Sequence, residues 1–340
     1  MPLADGGDGT LEVLIQANSG TPITHLVNNP IGELISAQFG IADDLAIIEM
    51  ARASGIELIS LKKRNPLLTT TYGTGQLIQA AIDKGASTIL IGIGGSATID
   101  GGAGCLQALG ARLLNSSGEQ ISYGGGSLKS ITHIDPTPLH KNLQKITIRV
   151  LCDVDNPLLG PNGAAAIFGP QKGADTAMVQ QLEENLAHFA AIIERDLGVH
   201  IQDIPGTGAA GGLSAGLMAV AGAELVSGVQ ELIKACGYDE RLAQGDIDLV
   251  ITGEGKLDSQ TVGGKAPLGI AKEAAKHHIP VVALAGAVTT PIEQLLEWGI
   301  QAVWSIIREP CTLDEALANT DDWLVEAATN LGNLLALANH

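Results

Sequence analysis

Cysteine, aromatic residues and positive charge are all scarce in this 340-residue chain. The four cysteines, Cys105, Cys152, Cys236 and Cys311, lie far apart without a C-x-x-C pair, and the eight histidines form no H-x-x-x-H. That spacing excludes the common zinc sites and a disulfide framework, and it fits a reducing cytoplasm. Aromatics make up 3% of the chain, so the core expected from its 45% hydrophobic content is aliphatic. Nineteen basic against 37 acidic residues leave a net charge of −18. An excess of that sign repels polyphosphate backbones and argues against nucleic acid as a partner, although a few local donors can still hold a small anion. No basic stretch followed by an apolar run opens the chain, and no 18 consecutive apolar residues occur. The nearest approach, 208–226, is rich in Gly and Ala and reads as a buried helix. The expectation is a soluble cytoplasmic protein with no membrane partner.

Several nucleotide and hydrolase signatures are missing as well. The pairs Gly255-Lys256 and Gly264-Lys265 lack the Ser or Thr of a Walker A motif. The protein-kinase set and the G-x-S-x-G elbow are also absent.

What is present is 43 glycines, in motifs placed between short apolar runs. Residues 248–252, 280–285 and 302–307 read as strands alternating with helices at about 267–277, 291–298 and 313–339, which predicts a parallel sheet. The beginning differs. A helix over 10–18 is followed by runs at 21–28, 32–41 and 45–50 joined by short turns, which predicts an antiparallel patch. Between these parts, helices are expected over 74–84, 101–114, 174–197 and 212–236, and strands over 88–93 and 146–152. Residues 116–130 read as a loop. The fold class is α/β, with two domains suggested by length.

The most informative segment runs from Gly92 to Gly104, after a buried strand and ahead of a helix. Gly92, Gly94 and Gly95 let backbone N–H groups approach an anion, and Ser96 and Thr98 add hydroxyls. The same residues fit the loose pattern G-x-G-x-x-A, but no acidic residue ends a strand about twenty positions on, as a nicotinamide cofactor's ribose requires. A dinucleotide-dependent oxidoreductase therefore ranks below a phosphate cradle, and a purely structural turn stays open beside both. Gly206 to Gly211 fits G-x-G-x-x-G in full, yet follows Pro205, and divides evenly between ligand contact and close packing. Gly253-Glu254-Gly255-Lys256-Leu257-Asp258 stands at the expected carboxyl end of a strand, where open α/β sheets bind ligands. Its carboxylates and lysine suit a metal and phosphate charge, or an acidic turn with Asp258 as a cap. Asp5 and Asp8, among glycines before a helix, suit Mg²⁺ or proton transfer, and Asp8 equally suits a helix cap. Lys172 lies between glycines ahead of a helix, and Asp153 follows a strand. Together these features describe an α/β enzyme for a small anionic substrate, with glycine loops for phosphate and carboxylates for Mg²⁺.

Read in order, Ala4 to Thr10, Ile91 to Thr98, Gly124 to Leu128, Phe168 to Ala174 and Ile251 to Gly255 closely resemble the type-1 bacterial glycerate kinases. The likeness extends from Leu3 to beyond Leu313. The resemblance implies phosphorylation of D-glycerate by ATP with Mg²⁺, most often at the 2-hydroxyl. It also implies two different α/β domains: a flavodoxin-like one from 1–20 and 238–340, and one inserted at 21–237, with the active site in the cleft between them. On that basis Asp5, Glu254, Lys172 and Asp258 are the catalytic candidates, and Asp5 and Glu254 the metal candidates. Gly92, Gly94, Gly95, Ser96, Thr98 and Lys256 are assigned to ATP, and Asp100 and Asp153 to substrate. A homo-oligomer is left open. Family members begin further upstream, with a strand, a Pro-Asp-Ser-(Phe/Tyr)-Lys motif and a helix, and that strand is central in the 2-1-3-4-5 order of a flavodoxin-like sheet. Its absence implies an unpaired edge on the 248–252 strand and keeps a second reading open, a glycerate-binding homologue with impaired catalysis.

Overall fold

The computed structural model describes residues 9–139, 141, 143–257 and 266–338. Asp5 and Asp258 lie outside the described residues.

The first strands are joined by a turn whose chemistry is local. β1 (Thr21–Asn28) and β2 (Leu34–Ala42) pair antiparallel from Thr21↔Ile41 to Asn28↔Leu34. Between them the Asn29 side-chain oxygen accepts from the backbone N–H of Ile31 and Glu33, and Gly32 takes φ 84°. Such Asx turns let the side chain stand in for a backbone carbonyl. β3 (Leu45–Glu49) then pairs antiparallel with β2 and parallel with β4 (Thr88–Gly92). A short antiparallel pair, β5 (Arg112–Leu114) and β6 (His133–Asp135), forms a separate sheet. β7 (Thr147–Leu151) and β8 (Glu224–Val226) complete a six-stranded sheet of order β1-β2-β3-β4-β7-β8, parallel from β3 onward.

β3 and β4 are buried along nearly their whole length, which is why they read as continuous apolar runs. Their side chains alternate between two cores. Ile47, Leu90 and Leu151 face Leu11 and Leu14 of the helix Thr10–Ala17 and Leu232 of the helix Gly228–Ala235. Ile48, Ile89, Ile91 and Val150 face the opposite layer, with Leu77 and Ile78 of the helix Tyr72–Asp83 and Leu213 and Leu217 of the helix Ala209–Ala221. A third cluster gathers Ile99, Leu113 and Ile134 around Leu182, Leu186 and Phe189 of the helix Thr176–Leu197.

Two expected helices are shorter than their apolar periodicity suggested. The stretch 101–114 is helical only over Ala103–Ala108, because Gly110 turns left-handed (φ 101°) and the chain passes into β5. The stretch 212–236 breaks at Gly222 (φ 68°), enters β8, and restarts as Gly228–Ala235. A left-handed glycine satisfies the last carbonyls of a helix and ends it. The helix Thr10–Ala17 has Gly9 at its cap position, Asp8 lies outside the described residues, and the Glu49 carboxylate accepts the Leu11 N–H at 2.9 Å.

The chain divides into two compact units, Met1–Cys236 and Gly237–His340. The expected division grouped residues 1–20 with 238–340, whereas the helix Thr10–Ala17 packs within the first unit on β2 and β3. In the second unit β9 (Val250–Leu257), β10 (Val281–Val288) and β11 (Ile300–Ser305) form a parallel sheet of order β11-β10-β9. The helices Ala266–Lys276 and Ile292–Glu297 alternate with the strands, and Leu313–Ala318 and Thr320–Ala338 follow. Alternating parallel strands and helices in both units, with an antiparallel element over 21–49, make the chain a mixed α/β protein, as expected. Among the described residues β9 pairs with β10 alone, and its Ile251 is 52% exposed. No helix among the described residues is long and apolar enough to cross a membrane.

Candidate active site

In the first unit, β4 ends at Gly92 and delivers the chain into the segment 93–104. A buried strand entering a glycine turn places backbone N–H groups at the carboxyl edge of a parallel sheet, the position where such sheets bind ligands. Gly95 has φ 68°, and its carbonyl accepts the Ile56 N–H at 2.8 Å, which fixes the turn against the segment after β3.

Lys172 comes to this turn from 76 residues further along the chain. Its side chain is 2% exposed, and Nζ donates to Ser96 Oγ at 2.7 Å and to the Thr98 carbonyl at 2.8 Å. Gly173, left-handed at φ 94°, lets the chain turn away immediately after the lysine. Burial lowers the Lys172 pKa from its ordinary 10.5 to about 7, with the nearby Asp100 charge working in the opposite direction. Beside it the Thr98 hydroxyl is buried without a hydrogen-bond partner among the described residues. A buried ammonium next to an unpartnered hydroxyl, in a glycine turn, is a pre-arranged set of donors for an anion.

Asp100 occupies the centre of the same loop and is fully buried. Its oxygens accept from the Thr71 N–H (2.8 Å), the Thr71 hydroxyl (2.9 Å) and the N–H groups of Gly102 and Gly104. Burial pushes its pKa up while these donors pull it down. With both oxygens occupied inside the protein, Asp100 shapes the loop, and the sequence expectation of a substrate contact finds no free oxygen there. Thr69 to Thr71 complete the scaffold, with the Thr69 hydroxyl donating to the Ala97 carbonyl and Cys105 N–H donating to Thr71 Oγ1.

The second glycine motif packs directly on the first. Ala210, Gly211 and Gly212 are all left-handed, and Gly101 N–H donates to the Gly211 carbonyl. A Cβ on Gly211 would lie 2.0 Å from the Thr98 carbonyl oxygen, and one on Gly208 would lie 2.1 Å from that of Pro157. Close packing therefore explains these glycines. Asp153, at the end of β7, accepts from Ser227 Oγ and from the N–H groups of Gly228 and Val229, so it caps the helix Gly228–Ala235. Asp155, two residues on, is exposed.

Glu254 and Lys256 sit in the second unit, inside β9 and not in a loop beyond it. Glu254 lies opposite Ala285, and the strand continues to Leu257. The pleat explains the difference: Gly253 and Gly255 flank Glu254 without interrupting the ladder, and a Cβ on Gly286 would lie 2.5 Å from the Gly255 carbonyl oxygen. In that unit Asp239, Glu273 and His277 bring potential ligand atoms within 4.8 Å of one another, although the Lys276 ammonium is bound to both Glu273 oxygens.

Of the sequence-predicted residues, the structure brings Ser96, Thr98, Asp100 and Lys172 together in the turn after β4. The threonine run and Glu49, a buried carboxylate bound to Arg52 at 2.6 Å, are not among the sequence-predicted residues. Three consecutive threonines just before a helix were the signal available.

The sequence matches the glycerate kinase family over residues 1–336. The chain belongs to the glycerate kinase family. It is 48% identical over 339 residues to the Escherichia coli K12 protein named glycerate 2-kinase, covering 99% of this chain and 88% of that one. It is 46% identical to the Bacillus subtilis 168 glycerate kinase, with the same coverage of 99% and 88%. A crystal structure of a protein assigned as glycerate kinase 2 from Salmonella typhimurium LT2 superposes with a TM-score of 0.87 at 45% identity, over 99% of this chain and 88% of that one. Membership makes the chain a kinase enzyme acting on a small molecule, and it implies ATP as co-substrate. It lends no support to the oxidoreductase alternative.

Proposed function

We propose that this chain transfers the γ-phosphoryl group of ATP to D-glycerate at its 2-hydroxyl, giving 2-phosphoglycerate and ADP, in the cytoplasm. The observation that carries the reading is the buried Lys172 ammonium held against Ser96 and Thr98 in the turn after β4. Phosphoryl transfer asks the protein mainly for positioning and charge neutralisation. A cation in a dry, low-dielectric setting meets developing negative charge more strongly than one in water. Lys172 is assigned to hold phosphoryl oxygens, together with the N–H groups from Gly92 to Gly95 and the hydroxyls of Ser96 and Thr98. Asp100 positions that loop through Thr71, Gly102 and Gly104.

Mg²⁺ neutralises charge on the phosphate oxygens when it is bound. The oxygens of Asp100 and Asp153 are taken by N–H and O–H donors, which leaves the exposed Asp155 as the fitting carboxylate in these loops. That fits an ion usually held by one or two carboxylates plus substrate phosphates. Glu254 and Asp5 stay assigned to metal or proton transfer, with Asp258 in reserve, and Lys256 to ATP. Glu254→Gln is expected to lower turnover sharply with the melting temperature unchanged; wild-type turnover in that variant would remove Glu254 from the chemistry.

ADP release with Mg-ATP, measured with and without D-glycerate, tests the reading, and the position of the new phosphate is read by NMR. Release that depends on D-glycerate and a 2-phosphate support it. Glycerate binding without release points instead to an impaired homologue, and neither binding nor release would sink the kinase reaction.

A further inference from the structure

Among the described residues of the first unit, Arg64 is a cation whose donors the fold leaves largely unused. Its side chain is 17% exposed, and Nε is buried without a hydrogen-bond partner. Its single ion pair among the described residues is long, 3.7 Å to Glu57, and Glu57 is itself 86% exposed. A guanidinium carries five N–H donors in a fixed fork that matches a carboxylate or phosphate edge. Burying one donor of that fork without a partner is unfavourable, and an anion from outside the chain would supply the acceptor it lacks.

Its surroundings point to which anion. The Arg64 backbone packs on Gly173, where a Cβ would lie 2.6 Å from the Arg64 carbonyl oxygen, so Arg64 is anchored beside the turn that carries Lys172. Glu57, its long-range partner, lines a hollow of about 510 Å³ together with Thr24, Ser36, Gln38, Arg52 and Gly95. Gly95 immediately precedes Ser96, the acceptor of the Lys172 ammonium. Arg52, the arginine that lines the hollow, is already paired at 2.6 Å with both Glu49 and Glu12. Arg64 alone of the two has a fork to offer.

We propose that Arg64 is a substrate-binding residue, whose guanidinium takes an oxyanion of a reacting molecule beside the Lys172 turn, next to the hollow that its partner Glu57 lines. The shared chemistry is a two-oxygen anionic edge, which a hydroxy-acid carboxylate and a nucleotide phosphate both present. This rests on the reading of these loops as the phosphoryl-transfer site.

The test is equilibrium binding of D-glycerate, of a non-hydrolysable Mg-ATP analogue and of inorganic phosphate to the full chain, alongside steady-state kinetics. Loss of a charge-assisted fork predicts that Arg64→Gln weakens one of these ligands about tenfold or more. Arg64→Lys should recover part of the loss, and the melting temperature should stay near wild type. Glu57→Gln, at an exposed position, removes the competing carboxylate and should tighten the same ligand. The affected ligand identifies the source: a rise in KM for D-glycerate alone marks the carboxylate, and a rise for ATP alone marks the phosphate. Unchanged affinities and KM values in Arg64→Gln would overturn the proposal. If that variant does not fold, unchanged affinities in Glu57→Gln would overturn it equally. The parent reading fails separately: phosphate binding that depends on Arg64 without glycerate-dependent ADP release would keep the residue and sink the reaction, whereas full activity in Arg64→Gln would do the reverse.

Discussion

The segments 92–98 and 206–211 are nearly interchangeable as sequence patterns, and the fold uses them for different physical reasons. The first ends a buried parallel strand, holds a buried lysine from elsewhere in the chain, and keeps one hydroxyl without a partner among the described residues. In the second, a Cβ on Gly208 or Gly211 would collide with backbone, and its end belongs to three left-handed residues in succession, Ala210 to Gly212. Glycine in the first is compatible with a ligand's approach, whereas glycine in the second is required by the approach of the protein itself. The two are linked, because the Gly211 carbonyl and a Cβ-free Gly211 face are what fix the 98–101 segment on which Lys172 is bound.

The sharpest break in that comparison should come from Lys172→Met, which keeps the bulk and removes the charge. Loss of one electrostatic stabiliser of the transition state typically costs about 10²–10³ in kcat, so a fall of that order is expected while the melting temperature is retained or raised. A wild-type kcat would show that the first loop is as purely structural as the second.

Next in size is Gly211→Ala set against Gly222→Ala. Both glycines have φ 68°, but a Cβ on Gly222 would meet nothing within 4 Å, whereas one on Gly211 meets the Thr98 oxygen. The shared left-handed cost is about 1–2 kcal/mol, and the collision should add about 2 kcal/mol or more at Gly211 alone. Urea denaturation of the two variants isolates the difference, and equal losses would remove close packing as the reason for the second motif.

A pH series sharpens the picture further. Lys172 binds its proton with a pKa of about 7 in the folded chain against an ordinary 10.5. Between those values the unfolded chain carries more protons, so this group makes stability rise with pH across that window, and its destabilising effect is fully present below about pH 7. The corresponding slope should vanish in Lys172→Met. If the ammonium is the working form, kcat/KM of the wild type should fall as pH rises through the pKa of the free enzyme. The smallest effect is expected from Ser96→Ala, about 1 kcal/mol of stability from one lost hydrogen bond, with a modest rise in KM for ATP and no change at the second motif.

Much of the local structure was legible in advance because its causes are local. The hairpin at Asn29–Gly32, the buried runs of β3 and β4 and the helix Thr176–Leu197 follow from turn chemistry and from periods of two and 3.6. The misreadings have equally specific causes. Gly110 and Gly222 interrupt helices whose apolar spacing continues on either side, and only their left-handed backbone shows it. Gly253-Glu254-Gly255 looked like a loop because glycine is poor in strands, yet pairing with Leu284 and Ala285 holds it extended. Asp153, expected at the substrate, accepts from N–H groups about 75 residues away at the start of the helix Gly228–Ala235, a contact that no local pattern announces.

By itself the sequence determined the α/β class, the aliphatic core, the hairpin, the glycine loop after β4 and, through motifs in a fixed order, the family. These depend on short-range periodicity, on turn residues and on residue identity, all of which are written along the chain. Only the tertiary structure decided that Lys172 meets Ser96 and Thr98, that Thr71 feeds Asp100, that the second glycine motif is a packing surface, and that Arg64 keeps a buried Nε without a hydrogen-bond partner among the described residues. Those facts are distances between residues tens of positions apart. They are set by which faces of the β3–β4–β7 sheet bury which helices, and no local pattern encodes that choice.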